Sequence, residues 1–230
     1  MCVLYWTKTH TGERDTMRTT ERLGRYVLTQ EESLPKVSRD SLMLSRFATL
    51  KRGWRVFDMG CGAGVLGLCL AQREEGLTLD GMDIVPECVR LTRLNLTQNG
   101  LTGSIWQGDV AQPPRLDWGS YDLVISNPPY FRREAGKTAP GSRGVARTGD
   151  GTEHWCALAA RLLKNGGRFA LCLRPEGLNG LFHDLTRCGI EPKRMQQVQS
   201  AEGKNANLVM VEAVRQGRPG LTLLSALTER

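Results

Sequence analysis

Residues 54–71 read WRVFDMGCGAGVLGLCLA, and this stretch changes structural type part-way along. WRVFD (54–58) has the short apolar character of a strand, and the run from Val65 to Arg73 has the length and composition of a helix. Between them lie glycines at 60, 62 and 64. Glycines at such a junction let the backbone pass close under a ligand and present amide donors at a helix N-terminus. The shifted reading Gly62-Ala-Gly64-Val-Leu-Gly67 also satisfies GxGxxG, which alone is weak evidence for a dinucleotide site.

Working outward, the alternation continues. LTLDGMD (77–83) is predicted as a second strand, followed by a helix from Pro86 to about Asn99, with proline at its first position. SIWQGD supplies a short third strand and YDLVISN a fourth. After a long loop come a helix through HWCALAARLL, the strand GGRFALCLRP, a helix after Pro175, and two last strands, RMQQVQS and NLVMVEAV. Strand–helix alternation at this spacing implies right-handed crossovers and a parallel sheet covered on both faces. The link SAEGKNA is too short for a crossover, so the last strand should run antiparallel to its predecessor. The fold class is therefore α/β: a Rossmann-like, seven-stranded, mostly parallel sheet whose last strand is reversed. Residues 38–230 read as a single domain, opened by a helix over SRDSLMLSRFATL with Ser38 as N-cap. Residues 1–37 read as a polar, irregular, partly flexible extension carrying Arg14, Arg18, Arg22 and Arg25.

Composition excludes several classes. With 40% hydrophobic and 24% charged residues in 230, the chain is an ordinary globular one. VLGLCLA, the longest apolar run, is too short to cross a bilayer, and the N-terminus lacks the features of a signal peptide. Seven cysteines without a CxxC pair argue against a disulfide framework or a zinc site, and for core thiols in a reducing cytoplasm. No metal is expected, and a monomer is. The net charge of +7 is compatible with a polyanionic partner.

The acids around the glycine loop decide what it binds. Asp58, immediately before the loop, would set a carboxylate against a pyrophosphate, but it suits a cationic ligand. S-adenosylmethionine, with its sulfonium and α-amino groups, is such a ligand. Asp83 ends the second strand, placed to accept both ribose hydroxyls. Asp109 ends the third, placed for the adenine amino group, with Ile84 and Val110 as apolar walls. Three acids ending three successive strands, with Gly60, Cys61, Gly62 and Gly64 forming the loop floor, point to S-adenosylmethionine as donor and S-adenosylhomocysteine as product.

The fourth strand ends in Asn127-Pro128-Pro129-Tyr130, next to the first strand in a doubly wound sheet and hence beside the donor. A planar NH₂ group is a poor nucleophile because its lone pair is delocalised. The Asn127 side-chain oxygen and the Pro128 carbonyl can each accept one of its hydrogens, directing the lone pair at the methyl carbon. The prolines fix that carbonyl. Tyr130 offers a face for stacking. Asn127 also borders the donor.

Adenine N6, guanine N2, cytosine N4 and a protein glutamine amide all satisfy this chemistry. A DNA methyltransferase needs a target-recognition domain for which little chain is left. Glutamine methyltransferases carry a helical domain before the glycine loop, where only about fifty residues stand here. The segment after the motif, Phe131 to Thr148, holds Arg132, Arg133, Lys137, Arg143 and Arg147 against the single acid Glu134, a composition suited to gripping phosphates. Lys193, Arg194, Lys204, Arg215 and Arg218 add cations further on, Lys204 being the substrate-binding candidate among them. A nicotinamide-dependent oxidoreductase would leave NPPY without a role, and a non-catalytic nucleic-acid-binding module would leave the three acids without one.

Five segments together, KVSRDSLMLSRFA, DMGCGAGVLGLCLA, NPPYF, GVAR and GKNANLVMVEAVRQGRPGL, resemble the bacterial tRNA1(Val) adenine-N6 methyltransferases over about residues 23–225. The resemblance implies a class I S-adenosylmethionine-dependent fold and a target adenine beside a tRNA anticodon, where unpaired bases can be splayed into a pocket. By position it implies that Asn127 to Tyr130 bind the adenine and that Asp58, Gly60, Asp83 and Asp109 bind the donor. It also implies that Asp40 closes the site from above, a position equally suited to helix capping. Where that family has Arg-His-Glu after the basic loop, this chain has Arg147-Thr148-Gly149.

Overall fold

The computed structural model describes residues 4–5, 18–34, 36–128 and 152–228. The strand that opens the glycine loop, β4 (Arg55–Met59), lies centrally, paired in parallel with β5 (Thr78–Asp83) and with β7 (Tyr121–Ser126). β6 (Ile105–Gln107) extends β5, and β8 (Leu163–Leu173) extends β7, again in parallel. β10 (Ala206–Arg215) is antiparallel both to β8 and to β9 (Ile190–Gln199). The last of the seven expected strands is thus the reversed one, and it slots between β8 and β9. Two short strands, β11 (Thr222–Leu223) and β12 (Leu227–Thr228), then pair in parallel with β9 and bring the sheet to nine. They cover backbone groups that an edge strand would otherwise leave open.

The helices match the expected positions. α2 (Val65–Arg73), α3 (Pro86–Gln98), α4 (Glu153–Leu162) and α5 (Leu178–Arg187) each follow the strand predicted to precede them, and α1 (Arg39–Phe47) starts after Ser38. Because successive strand side chains point to opposite faces, the sheet divides its core in two. Val56, Leu123 and Ile125 pack on one side with Leu44, Phe47, Leu66 and Leu70 from α1 and α2. Phe57, Val124 and Phe169 pack on the other with Leu158, Leu162, Leu181 and Leu185 from α4 and α5. Five of the six described cysteines are buried, as small core residues would be.

Residues 18–31 depart from the irregular segment expected of them. β2 (Arg18–Leu23) and β3 (Tyr26–Glu31) form an antiparallel hairpin, joined by β1 (Leu4–Tyr5). Leu23 and Leu28 sink between α2 and α3, against Leu68 and Leu91. Side-chain amides of α3 pair with the hairpin backbone as a strand would: Asn95 Oδ1 accepts from Thr29 N at 2.8 Å and Asn99 Oδ1 from Val27 N at 2.8 Å. Partners this far along the chain leave no local periodicity to detect.

α1 is fixed at its C-terminal end by side chains from three other elements. Arg194 donates to the Phe47 carbonyl at 2.7 Å and Arg73 to the Ala48 carbonyl at 2.8 Å. Thr49 N and Oγ1 donate to the fully buried Glu212 at 2.6 and 2.9 Å. Arg194, counted above among available cations, also pairs with Glu212, and Arg215 bonds the Leu163 carbonyl. Both are structural ties within the sheet.

Candidate active site

The site forms where β4, β5, β6 and β7 end, the position expected for a ligand on a doubly wound sheet. The glycine loop turns there under tight constraint. Gly60 N and Cys61 N both donate to the Met82 carbonyl, at 2.9 and 3.0 Å, pinning the loop to the end of β5. Gly60 has φ of 73°, and a Cβ on it would lie 3.2 Å from the Trp155 ring of α4. Gly64, the N-cap of α2, has φ of 78°, and a Cβ there would meet Thr92 Cγ2 at 3.0 Å. Both positions demand glycine on conformation and on space. Thr92 Oγ1 in turn donates to the Gly62 carbonyl at 2.7 Å.

Asp83 uses its carboxylate to brace this loop. Oδ2 accepts from Gly62 N and Oδ1 from Val85 N, each at 2.9 Å, and each oxygen keeps a lone pair. Ile84 beside it is exposed, 38% accessible, an apolar wall without protein cover. Asp109 is exposed and caps its own turn through Ala111 N at 2.9 Å, with Val110 half-buried next to it.

Asp58 behaves differently. It is buried, and neither carboxylate oxygen has a hydrogen-bond partner among the described residues. Burial, reinforced by the charge of Asp83, pushes its carboxyl up to about 8. A buried carboxylate without a partner is costly, and a cation placed against it would remove the cost. The bare acid, the spare lone pairs of Asp83 and the uncovered Ile84 therefore fit a cationic ligand with a polar and an apolar part.

β7 delivers the motif beside this pocket. Asp58 is in register with Ile125, and the buried Ser126 hydroxyl donates to the Met59 carbonyl at 2.8 Å, so Asn127 follows at the level of the glycine loop. Asn127 is half-buried and Pro128 buried. The Asn127 Nδ2 donates to Ser38 Oγ and to Ser41 Oγ, both at 3.0 Å, and Oδ1 accepts from Cys172 Sγ at 3.1 Å. Ser38 is also the expected N-cap, accepting from Ser41 N at 3.1 Å. Asp40 sits half-buried in the first turn of α1, and its charge helps burial to raise the Cys172 thiol.

Lys204 is exposed in the β9–β10 turn. Because β9 runs in the direction of β8, that turn lies at the same end of the sheet as the glycine loop. Pro129, Tyr130, Phe131, Arg132, Arg133, Lys137, Arg143 and Arg147 fall outside the described residues. Among the described residues no cluster of metal-ligating side chains occurs, and no helix is long and apolar enough to cross a membrane. Thr92, Trp155, Ser41 and Cys172 were not among the expected site residues. Of these only Cys172 follows from the strand pairing: Ser126 is in register with Leu171, which sets Cys172 level with Asn127.

This sheet order, with its single reversed strand and its glycine loop, is the class I methyltransferase architecture. The Agrobacterium tumefaciens protein Atu636, a predicted O-methyltransferase, shares the fold with a TM-score of 0.65 at 22% identity, over 82% of this chain and 86% of that one. The model of the methyltransferase small domain family matches residues 37–176. A tRNA1(Val) (adenine(37)-N6)-methyltransferase from Tolumonas auensis is 31% identical over 195 residues, 79% of this chain and 77% of its own. The enzyme of the same name from Shewanella sp. is 31% identical over 188 residues, 76% of this chain and 75% of its own. The chain belongs to the methyltransferase small domain family and groups with the tRNA1(Val) (adenine(37)-N6)-methyltransferases. It is a methyltransferase, with S-adenosylmethionine as its cofactor.

Proposed function

We propose that the chain methylates the exocyclic N6 of an adenine in a tRNA anticodon loop, acting in the cytoplasm. The observation that carries this reading is the position of Asn127, an amide directly after the strand next to the glycine loop, with Ser126 tied to Met59. The names of the relatives supply the base and the RNA. When bound, S-adenosylmethionine supplies an activated methyl group on a sulfonium.

The protein's own residues then bind and orient. Asp58 and Asp83 hold the cationic and ribose ends of the donor, while Ile84, Asp109 and Val110 border its adenine. Asn127 Oδ1 and the Pro128 carbonyl accept the two hydrogens of the target amine, which turns the nitrogen lone pair away from the ring and toward the donor side. Tyr130 stacks on the base. No residue need remove a proton before transfer, because the nitrogen becomes acidic once it carries the methyl group. Arg132, Arg133, Lys137, Arg143, Arg147 and Lys204 grip the RNA backbone, Phe131 adds an apolar contact, and Asp40 closes the site.

The test is methyl transfer from tritiated donor to bulk tRNA, rRNA and protein, followed by nucleoside and amino-acid analysis. N6-methyladenosine in tRNA is expected; methylguanosine or methylglutamine would overturn the base or the substrate. Asn127→Ala is expected to lower turnover by about 10²–10³-fold, the size seen on removing one aligned polar group from a reaction centre. Donor affinity, measured by calorimetry, should stay within about two-fold of the unsubstituted protein, since Asp58, Asp83 and the glycine loop are untouched.

A further inference from the structure

Asn127 is a rotatable amide whose two ends look alike in shape and opposite in chemistry. Only the oxygen can accept hydrogens from an amine, so something must fix which end faces the substrate. The groups that surround the carboxamide come from α1 and β8, 86 and 89 residues before it and 45 after it.

Donor and acceptor counting settles their roles. Ser38 Oγ accepts Ser41 N–H at 3.1 Å and one Asn127 Nδ2 hydrogen at 3.0 Å, which fills both of its lone pairs. Its own hydrogen must then go to Ser41 Oγ, 3.0 Å away. Ser41 Oγ accepts that hydrogen together with the second hydrogen of Asn127 Nδ2, at 3.0 Å. Both amide hydrogens are thus consumed by α1. On the other side the Cys172 thiol donates to Oδ1 at 3.1 Å, leaving that oxygen one lone pair. Burial, then the Asp40 charge, raise this thiol well above its ordinary range, so it stays an S–H donor. In the reversed amide the two serine hydroxyls would have only two hydrogens for the three contacts among Ser38, Ser41 and the amide oxygen, and NH₂ would face sulfur, a weak acceptor.

We infer that Ser41 and Cys172, with the N-cap Ser38, are positioning residues that lock the Asn127 carboxamide with its oxygen toward the substrate. Neither of the first two touches the reacting atoms; they act through Asn127. The inference rests on the proposed role of Asn127 as acceptor for the target amine. It also gives α1 a purpose. Arg73, Arg194 and Glu212 anchor its C-terminal end, so that its first turn arrives at Asn127 as a rigid clamp. Polarisation of the amide by two N–H···O bonds further strengthens Oδ1 as an acceptor.

The experiment uses Ser41→Ala, which keeps the backbone N–H that Ser38 caps, together with Ser41→Thr, Cys172→Ala and Cys172→Ser. Two readouts are taken: steady-state methylation of bulk tRNA, and the NMR signals of the Asn127 side-chain NH₂, identified by their loss in Asn127→Ala. In the unsubstituted protein these two hydrogens should be protected from exchange. Ser41→Ala should lose that protection and about ten-fold or more in kcat, with donor affinity within two-fold and an intact fold by thermal unfolding. Ser41→Thr should restore both readouts. Cys172→Ala should lower kcat, and Cys172→Ser, which keeps a donor, should recover most of it. If Asn127→Ala is inactive while Ser41→Ala and Cys172→Ala keep full kcat, the clamp is refuted and the role of Asn127 stands. If Asn127→Ala remains active, the proposed role of Asn127 falls instead. Rapidly exchanging NH₂ signals in the unsubstituted protein would overturn the clamp whatever the substrate.

Discussion

Asp80 and Asp58 sit on neighbouring parallel strands, both buried, and the chain treats them in opposite ways. Asp80 Oδ2 accepts from Arg55 Nη2 at 2.6 Å, from Arg55 Nε at 2.9 Å and from the Tyr121 hydroxyl at 2.9 Å, while Oδ1 accepts from Ser104 N at 2.7 Å. The other buried acids are partnered as well: Glu31 with Arg18 and Arg90, Asp184 with Thr152, and Glu212 with Arg168, Arg194 and Thr49. Asp58 has no such partner among the described residues. Carboxylates that serve the fold bring their donors with them, because an unpaired buried charge costs several kcal/mol. One left bare at the end of a strand, beside a loop of forced glycines, is the group the proposed function assigns to the donor.

The strongest way to break this comparison is to exchange the consequences of losing each acid. Asp80→Ala strands Arg55 and the Tyr121 hydroxyl, and should lower unfolding free energy by about 3 kcal/mol, near the low end for a buried pair because Arg55 is partly solvated. Denaturant titration checks this. Asp58→Asn should cost no stability at pH 8, yet weaken donor binding by about 10–100-fold, the worth of a charge-assisted contact. Calorimetry checks that. Equal destabilisation by the two substitutions would remove the distinction.

A finer test is pH. The unfolded chain releases the Asp58 proton near its ordinary 3.8, while the folded protein without donor holds it to about 8. The folded state therefore binds more protons across that interval, and stability should fall as pH rises from about 4 to about 8, then level off. The slope is at most about 1.4 kcal/mol per pH unit. Donor binding favours the ionised acid, so affinity should rise between pH 6 and 8 by up to about ten-fold per unit. One proton should be released on binding near pH 7, seen as a dependence of the binding heat on buffer. Asp58→Asn should abolish the slope, the rise in affinity and the proton release together.

The same contrast explains how much of the site was legible. Asp58, the glycines, Asp83, Ile84, Asp109 and Val110 lie on successive strand ends, and each strand–loop–helix unit is local in the chain. A reader of the sequence can place them because chain order and spatial order agree. Ser41 and Cys172 escaped for the opposite reason: they reach Asn127 from α1 and from the far end of β8. The hairpin over Arg18–Glu31 escaped likewise, since the outer edge of β3 is satisfied by Asn95, Gln98 and Asn99, far along the chain. Arg194 is engaged by Glu212 and the Phe47 carbonyl, and nothing near it in sequence announces either partner.

By itself the sequence determined the alternating α/β order, the glycine loop, the acids at Asp58, Asp83 and Asp109 and an asparagine directly after the fourth expected strand. Hydrophobic periodicity and turn chemistry act over a few residues and survive in a linear reading. Tertiary structure alone decided that β10 enters between β8 and β9, that Asp58 is bare while every other buried acid described is paired, and that Ser38, Ser41 and Cys172 converge on the Asn127 carboxamide. Those outcomes depend on which distant polar groups meet in a low-dielectric interior, where each must find a partner or be left for a ligand.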